Sequence, residues 1–322
     1  MIAITAAWAG TALSASGPAQ SRPALGTSTW RGIALGAEVH IAFVHDAAMD
    51  LAPLVARCKA EIARLEGLFN LYRPDSALSR LNRVGALDDP DQDMLALMSL
   101  ALALGRETDG AFDVSVQPLW RLYADHFKAP DADPAGPDDE ALQAALALVG
   151  HRRIRLSPGR IAFDRPGMAV TLNGIAQGYM SDRVAALLRR HGMTNVLVHL
   201  GEICALGEKA ANEPWTAGIA DPADAARLIA RVPLRDRALA TSAGAGVPFS
   251  ADGRHHHLFD PQSGRSASHY RSVSVVAPSA AVADGLSTAF AAMPLGRIRT
   301  LVAARAETKA LILENEGRLI TL

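Results

Sequence analysis

The chain has 322 residues, 49% of them hydrophobic and 20% charged, a composition that excludes a disordered or fibrous protein and fits a folded one with a sizeable core. Lys plus Arg number 32 against 33 for Asp plus Glu, so a formal net charge of -1 excludes a global field drawing the chain onto nucleic acid or an anionic membrane. A polyanionic ligand therefore needs a local site, and the length fits one large domain or two smaller ones.

Residues 1–13 form an apolar run followed by Ser14-Ala-Ser-Gly-Pro-Ala-Gln-Ser21. Residues 1–21 thus resemble the hydrophobic and cleavage regions of an export signal, without its basic start, and the run is too short to span a bilayer. A buried N-terminus is the alternative. The two cysteines, Cys58 and Cys204, leave one bridge and two buried thiols equally open.

Alternation within residues 30–44 predicts a strand with one face on a core, interrupted near its start by Leu35-Gly36-Ala37. Residues 54–69 carry apolar positions at helical spacing with Arg57, Lys59, Glu61, Arg64 and Glu66 on the other face, an amphipathic helix. Arg73-Pro74 ends what precedes it, and Asp75 or Ser76 caps a short helix. Taken alone, Tyr72 is expected as a partly buried core aromatic. A second helix covers residues 94–108. Behind it, Gly110-Ala111-Phe112-Asp113 sets a ring beside a carboxylate, which suits a heteroaromatic ligand or simply a turn with an Asp cap.

Residues 129–140, rich in proline and acid, read as a surface loop ahead of a helix over 141–149. Residues 154–156 and 160–163 predict a hairpin around Ser157-Pro-Gly159. An apolar run over 160–172 then stops at Asn173-Gly174-Ile175-Ala176-Gln177-Gly178, and a helical pattern follows to Gly192. Free amides at such a helix start attract phosphate, and glycines let a ligand approach the backbone, although the spacing matches neither stock nucleotide motif. Residues 195–200 form a buried strand closed by Gly201-Glu202.

The second half reads mostly as strands. Residues 238–241 run into Ser242-Ala243-Gly244, and His255-His256-His257 follows. On a strand, adjacent side chains face opposite ways, so at most His255 and His257 share a ligand, and no zinc-like spacing follows. Asp260-Pro261 opens a turn that Gly264 closes. After a strand over 270–276, a small-residue helix over 280–293 carries Asp284 and Thr288 four apart on one face. Such oxygens suit a hard cation like Mg2+, with a cap or polar face as the plain alternative. Residues 303–306 read as a turn and 310–322 as a terminal hairpin. No internal repeat is present.

In order, Tyr-Arg-Pro-Asp-Ser-x-Leu-Ser-Arg-Leu-Asn from Tyr72, Gly-Ala-Phe-Asp, the Gly-Ile-Ala-x-Gly-Tyr turn, Ala-Thr-Ser, His-x-x-Asp-Pro-x-x-Gly and Ala-Asp-x-x-x-Thr extend across residues 72–288. This series resembles the ApbE family of FAD:protein FMN transferases over nearly all of the chain beyond the export-like segment. The resemblance implies an α+β fold over residues 28–322, a single compact domain with mixed, largely antiparallel sheets and surrounding helices. It also implies Mg2+-dependent transfer of FMN from FAD onto a threonine of an acceptor flavoprotein, with AMP released. By the same likeness Gly174, Asp284 and Thr288 hold the metal. Leu35, Tyr72, Ala111, Phe112, Asp113, Thr171, Gln177 and Leu258 line the FAD site, and His257 is the base.

The family's frequent Asp-Leu-Gly-Gly-Ile-Ala-Lys-Gly reads Thr171-Leu-Asn-Gly-Ile-Ala-Gln177-Gly178 here, so a carboxylate and a cation are both replaced by neutral groups. Thr-Ser-Gly reads Thr241-Ser242-Ala243, and Met-Gly-Thr reads Leu35-Gly36-Ala37. The wording around Gly174 is similar to the NosX-like branch, which serves maturation of nitrous oxide respiration proteins, implying a periplasmic enzyme acting on a membrane flavoprotein of that system. Two further readings fit the same residues: an FAD diphosphate hydrolase using water, and a non-catalytic flavin-binding protein.

Overall fold

The computed structural model describes residues 25–34 and 37–322; the export-like segment and Leu35 lie outside the described residues. The alternation over 30–44 forms two strands, not one interrupted strand: β1 (Leu25–Ala34) and β2 (Ala37–Asp46) pair antiparallel with Thr29 opposite Ala42. Helix α1 (Ala52–Phe69) buries Leu54, Cys58, Ile62, Leu65 and Phe69, spaced three and four apart. Helix α2 (Ala77–Val84) starts at Ser76, whose hydroxyl accepts from the Ser79 amide at 3.0 Å, so Ser76 and not Asp75 is the cap. Strand β3 (Ala86–Asp88) and helix α3 (Gln92–Glu107) follow.

Helix α4 (Gln117–His126) stands where no element is predicted, and α5 (Asp139–Leu146) begins under an Asp138 cap, two residues earlier than its apolar pattern. Strands β4 (Ile154–Ser157) and β5 (Arg160–Phe163) form the expected hairpin and join β3 in a three-stranded sheet. The strand stops at Phe163, so the apolar run beyond it is irregular chain. Asn82 holds that chain in place: its side-chain amide donates to the Val170 carbonyl at 2.8 Å, and its oxygen accepts from the Val170 amide at 2.7 Å.

Helix α6 (Ala176–Arg190) leads to β6 (Asn195–His199), β7 (Ile203–Leu206), the arm β8 (Trp215–Asp221) and β9 (Asp224–Leu234), and β10 (Arg237–Ser242). The segment with three histidines is not a strand; it is irregular, held by isolated bridges from His256 to Pro248 and from Phe259 to Ser266. The Asp260 turn is as expected, the Gly264 amide donating to the Asp260 carbonyl at 2.8 Å. Strand β11 (Tyr270–Ala277) and helix α7 (Ala280–Ala291) precede α8 (Leu295–Ala304), which takes in residues expected as a turn. Strands β12 (Lys309–Glu314) and β13 (Leu319–Thr321) close the chain as a hairpin.

One eight-stranded antiparallel sheet, ordered β1-β2-β6-β7-β10-β11-β12-β13, supports the fold. Its central strands are apolar on both faces. Ile41, Phe43, Val198, Ala240, Val273 and Val275 face the helices, whereas Ala42, Val44, Leu197, Ala205, Leu239 and Val276 meet Trp215, Ala217 and Ile219 of the arm. This single α+β body with antiparallel sheets is the expected fold class. Helix α7 is buried on nearly every side because its residues are small, and it rests on β10 and β11 beside α6. Cys58 and Cys204 are free buried thiols, which resolves the alternatives for them. Among the described residues no helix is long and apolar enough to cross a membrane.

Candidate functional site

A cavity of about 1290 Å³ opens between the helix layer, the hairpin β1–β2 and the arm, above the usual range of about 300–1,000 Å³ for small-molecule pockets. It is large enough for a dinucleotide. Tyr72, Phe112, Asp113, Thr171, Gly174, Gln177, His257, Leu258, Asp284 and Thr288 all line it, brought together from five separate stretches of chain. Ala111 does not reach its wall.

The start of α6 and the body of α7 meet at the centre. A Cβ on Gly178 would lie 2.3 Å from the Ala280 carbonyl oxygen, so only glycine permits this approach. The Gly178 amide donates to Asp284 at 3.1 Å. At Gly174 a Cβ would fall 2.8 Å from the Thr288 hydroxyl oxygen, which places that hydroxyl directly against the turn. Asp182, one turn further along α6, accepts from the amides of Ala280 and Ala281 at 2.8 and 2.9 Å and from the Ser279 hydroxyl at 2.7 Å. These bonds fix α7, and hence Asp284, relative to the turn.

The turn has fewer free amides than its sequence suggests. Asn173 donates to the Thr171 hydroxyl, Ile175 and Ala176 donate to the Leu172 carbonyl, and Gly178 is taken by Asp284. The start of α6 therefore offers few free amides to a phosphate.

Asp284 is 4% exposed and faces a residue that the sequence motifs left out, Glu202, which is 8% exposed. Burial pushes both carboxyls up from their ordinary values, and Asp284 raises Glu202 further. Burial is the main cause at Asp284, opposed by the Gly178 amide and reinforced by the Asp182 charge. Neither carboxylate forms an ion pair among the described residues, so a cation entering the cavity would be strongly favoured. The only sign of Glu202 in the sequence was its place beside Gly201 at the end of a buried strand.

Oxygen donors dominate this centre. Among the described residues no group of three or more His, Cys, Asp or Glu side chains is arranged for a metal. A hard cation held by few protein oxygens and completed by a ligand's phosphates fits Asp284, Thr288, Gly174 and the nearby Glu202.

The predicted flavin-facing residues divide. Tyr72 is not a core aromatic: it is 72% exposed at the cavity rim, because the turn over residues 70–73 carries it away from the core. Phe112 is buried in the main core and shows the cavity only part of its ring. Asp113 caps the 3-10 turn Val114–Val116 and accepts from the Ser115 amide at 2.8 Å and the His151 amide at 2.7 Å. Its carboxylate is thus largely committed to joining two loops, the plainer of the two expectations. Gln177 sits over Gly201, where a Cβ would fall 2.5 Å from its amide carbon; Gly201 also has a φ of +100°, so glycine is needed on both grounds.

His257 and His255 do not share a ligand. His255 packs on Tyr123 and Phe127, while His257 turns into the cavity. The His257 Nδ1 lies 3.3 Å from the Val247 carbonyl, an atom that only accepts, so Nδ1 carries the proton and Nε2 is left as the acceptor. Burial, helped by His256, pulls its pKa down to about 4, so the ring is neutral at pH 7. At the far side of the cavity His40 and His199 face each other across β2 and β6 with Nδ1 atoms 3.3 Å apart, a pair the sequence did not signal.

The sequence profile of the ApbE family matches residues 35–312. A "FAD:protein FMN transferase" of Salmonella typhimurium is 30% identical over 300 residues, covering 89% of this chain and 84% of its own. One of Vibrio cholerae is 34% identical over 242 residues, covering 73% and 71%. The solved structure of the flavin transferase ApbE from Vibrio cholerae superposes with a TM-score of 0.80 at 26% identity, covering 93% of this chain and 97% of that one.

Proposed function

The chain belongs to the ApbE family, and from that premise we propose that it is an FAD:protein FMN transferase that uses Mg2+, modifies a threonine and releases AMP. One observation carries this reading: the carboxylate of Asp284 and the hydroxyl of Thr288 lie against the Gly174–Gly178 turn, inside a cavity large enough for FAD. Bound there, Mg2+ would neutralise charge on the diphosphate as it is cleaved. Asp284, Thr288 and the Gly174 turn would hold it, with Glu202 beside them.

The protein groups do the rest. Thr171, Gln177, Leu258 and the Tyr72 rim line the space for the dinucleotide. His257 Nε2 takes the proton from the attacking threonine hydroxyl as that oxygen bonds to the flavin-side phosphorus and the bond to AMP breaks. His257→Ala is expected to slow transfer by about 10²–10⁴-fold with FAD still bound, read from acceptor mass over time. In the parent, the acid limb of the rate profile should lie well below that of an ordinary imidazole, since the ring is neutral down to about pH 4.

The carboxyl pair sets a second expectation. With pKa values raised in the folded chain, Asp284 and Glu202 keep protons that the unfolded chain loses above about pH 4. Stability without metal therefore falls as pH rises from there toward the folded values. A divalent ion relieves this most where Asp284, pushed up to about 7, has lost its proton, so Mg2+ should raise Tm more at pH 8 than at pH 5. An equal gain at both pH values would contradict the assignment.

The export-like start of the sequence supports a periplasmic site of action on an exported or membrane flavoprotein, the NosX-like role being the narrower form of this proposal. Incubation with FAD, Mg2+ and a threonine-bearing acceptor should add an FMN mass to the acceptor and release AMP. Free FMN and AMP from an unmodified acceptor would indicate the hydrolase instead, and intact FAD a binding protein.

A further inference from the structure

A threonine hydroxyl serves a cation only when its single proton points elsewhere, leaving the oxygen lone pairs toward the metal. The structure contains a chain of hydroxyls that decides where the Thr288 proton goes. Ser287 Oγ lies 3.0 Å from the Asp284 carbonyl oxygen, which can only accept, so the Ser287 proton is committed there. Ser242 Oγ lies 2.7 Å from Ser287 Oγ. Ser287 has no proton left, so Ser242 donates. Ser242 Oγ is also 3.3 Å from Thr288 Oγ1. The Ser242 proton being used, Thr288 is the donor.

One carbonyl thus sets the direction of all three bonds. Ser242 ends β10 and is 9% exposed, and Ser287 is fully buried, so water offers little competition at either hydroxyl. The last contact is longer than the usual 2.5–3.0 Å for O–H···O, so it orients Thr288 more than it stabilises the fold. The neighbouring Thr241 bonds Ser274 at 2.8 Å, a separate contact outside this chain of hydroxyls.

We propose that Ser242 is a positioning residue for the cation site: it takes the Thr288 proton and so presents the Thr288 oxygen to the metal. This rests on the cation reading of Asp284 and Thr288 given above. Outer partners of metal ligands commonly change affinity by about 10–100-fold, and a weak orienting bond belongs at the lower end of that range.

The test is Mn2+ binding to the full chain without FAD, followed by electron paramagnetic resonance, with melting curves to confirm folding. Ser242→Ala should weaken Mn2+ about 10-fold, and Ser242→Thr, which keeps the hydroxyl, should restore it. Ser287→Ala frees the Ser242 proton to point at Thr288 and should weaken Mn2+ too, which covers the case of a Ser242→Ala chain that does not fold. In a Thr288→Val background, Ser242→Ala should cause no further loss. Unchanged affinity in folded Ser242→Ala or Ser287→Ala, or the same loss with and without Thr288, would overturn the role of Ser242. Parent protein that binds no Mn2+ would instead sink the cation reading, and this inference with it.

Discussion

Replacing Asp284 with asparagine or alanine is expected to stop AMP release from FAD almost completely, a loss of roughly 10²–10³-fold or more, as when one strong electrostatic partner of a transition state is removed. Asparagine is the sharper variant. It keeps an oxygen for the Gly178 amide, now 3.1 Å from the carboxylate, and removes only the charge. The metal-free chain should melt near the parent temperature, because relief of a buried carboxylate offsets any weakened hydrogen bond. The rise in Tm on adding Mg2+ should disappear. If Asp284→Asn released AMP within ten-fold of the parent, the metal would have to be placed elsewhere.

Gly178→Ala should have the largest effect on the fold near the site. The added methyl meets the Ala280 carbonyl oxygen at 2.3 Å, its carbon at 2.6 Å and the Ala281 Cα at 2.8 Å, all backbone atoms of α7. Backbone held by Asp182 cannot swing aside as a flexible side chain would. The helices must therefore separate, which costs about 1–3 kcal/mol as overpacking, or a fall in Tm of roughly 2–10 °C. The same movement draws the Gly178 amide from Asp284, so Mn2+ affinity should fall with stability. Gly67→Ala is the control: its Cβ meets nothing within 4 Å inside helix α1, and it should stabilise slightly. A Gly178→Ala protein melting like the parent would show that the two helices are not in rigid contact.

Much of the fold is legible in the sequence. Helix α1 buries an apolar face repeated at helical spacing, whereas strands β2, β6 and β11 are short apolar runs buried on both faces, and both signals are local enough to be read along the chain. Helices α4 and α8 were missed for a related reason. Each is short and has few buried positions, Leu119 and Tyr123 among those in α4 and only Ile298 and Val302 in α8, too few to show a period. The histidine segment failed differently: its shape comes from bridges to Pro248 and Ser266, which local spacing cannot express.

Local spacing along the chain was enough to mark the residue types of the site, an Asp and a Thr one helical turn apart, glycines at a helix start and a histidine near a tight turn. Their spacing along the chain does not bring them together; the family likeness grouped Gly174, Asp284 and Thr288, and the packed fold supplied the contacts between them. It set Asp284 against Gly178, 106 residues away in the chain, brought in Glu202 from a turn that looked ordinary, and committed Asp113 to His151. The physical reason is that burial and electrostatic partnership depend on distance in space. A carboxylate's charge, a hydroxyl's proton and a glycine's missing side chain acquire their meaning only from what the packed helices and sheet place beside them.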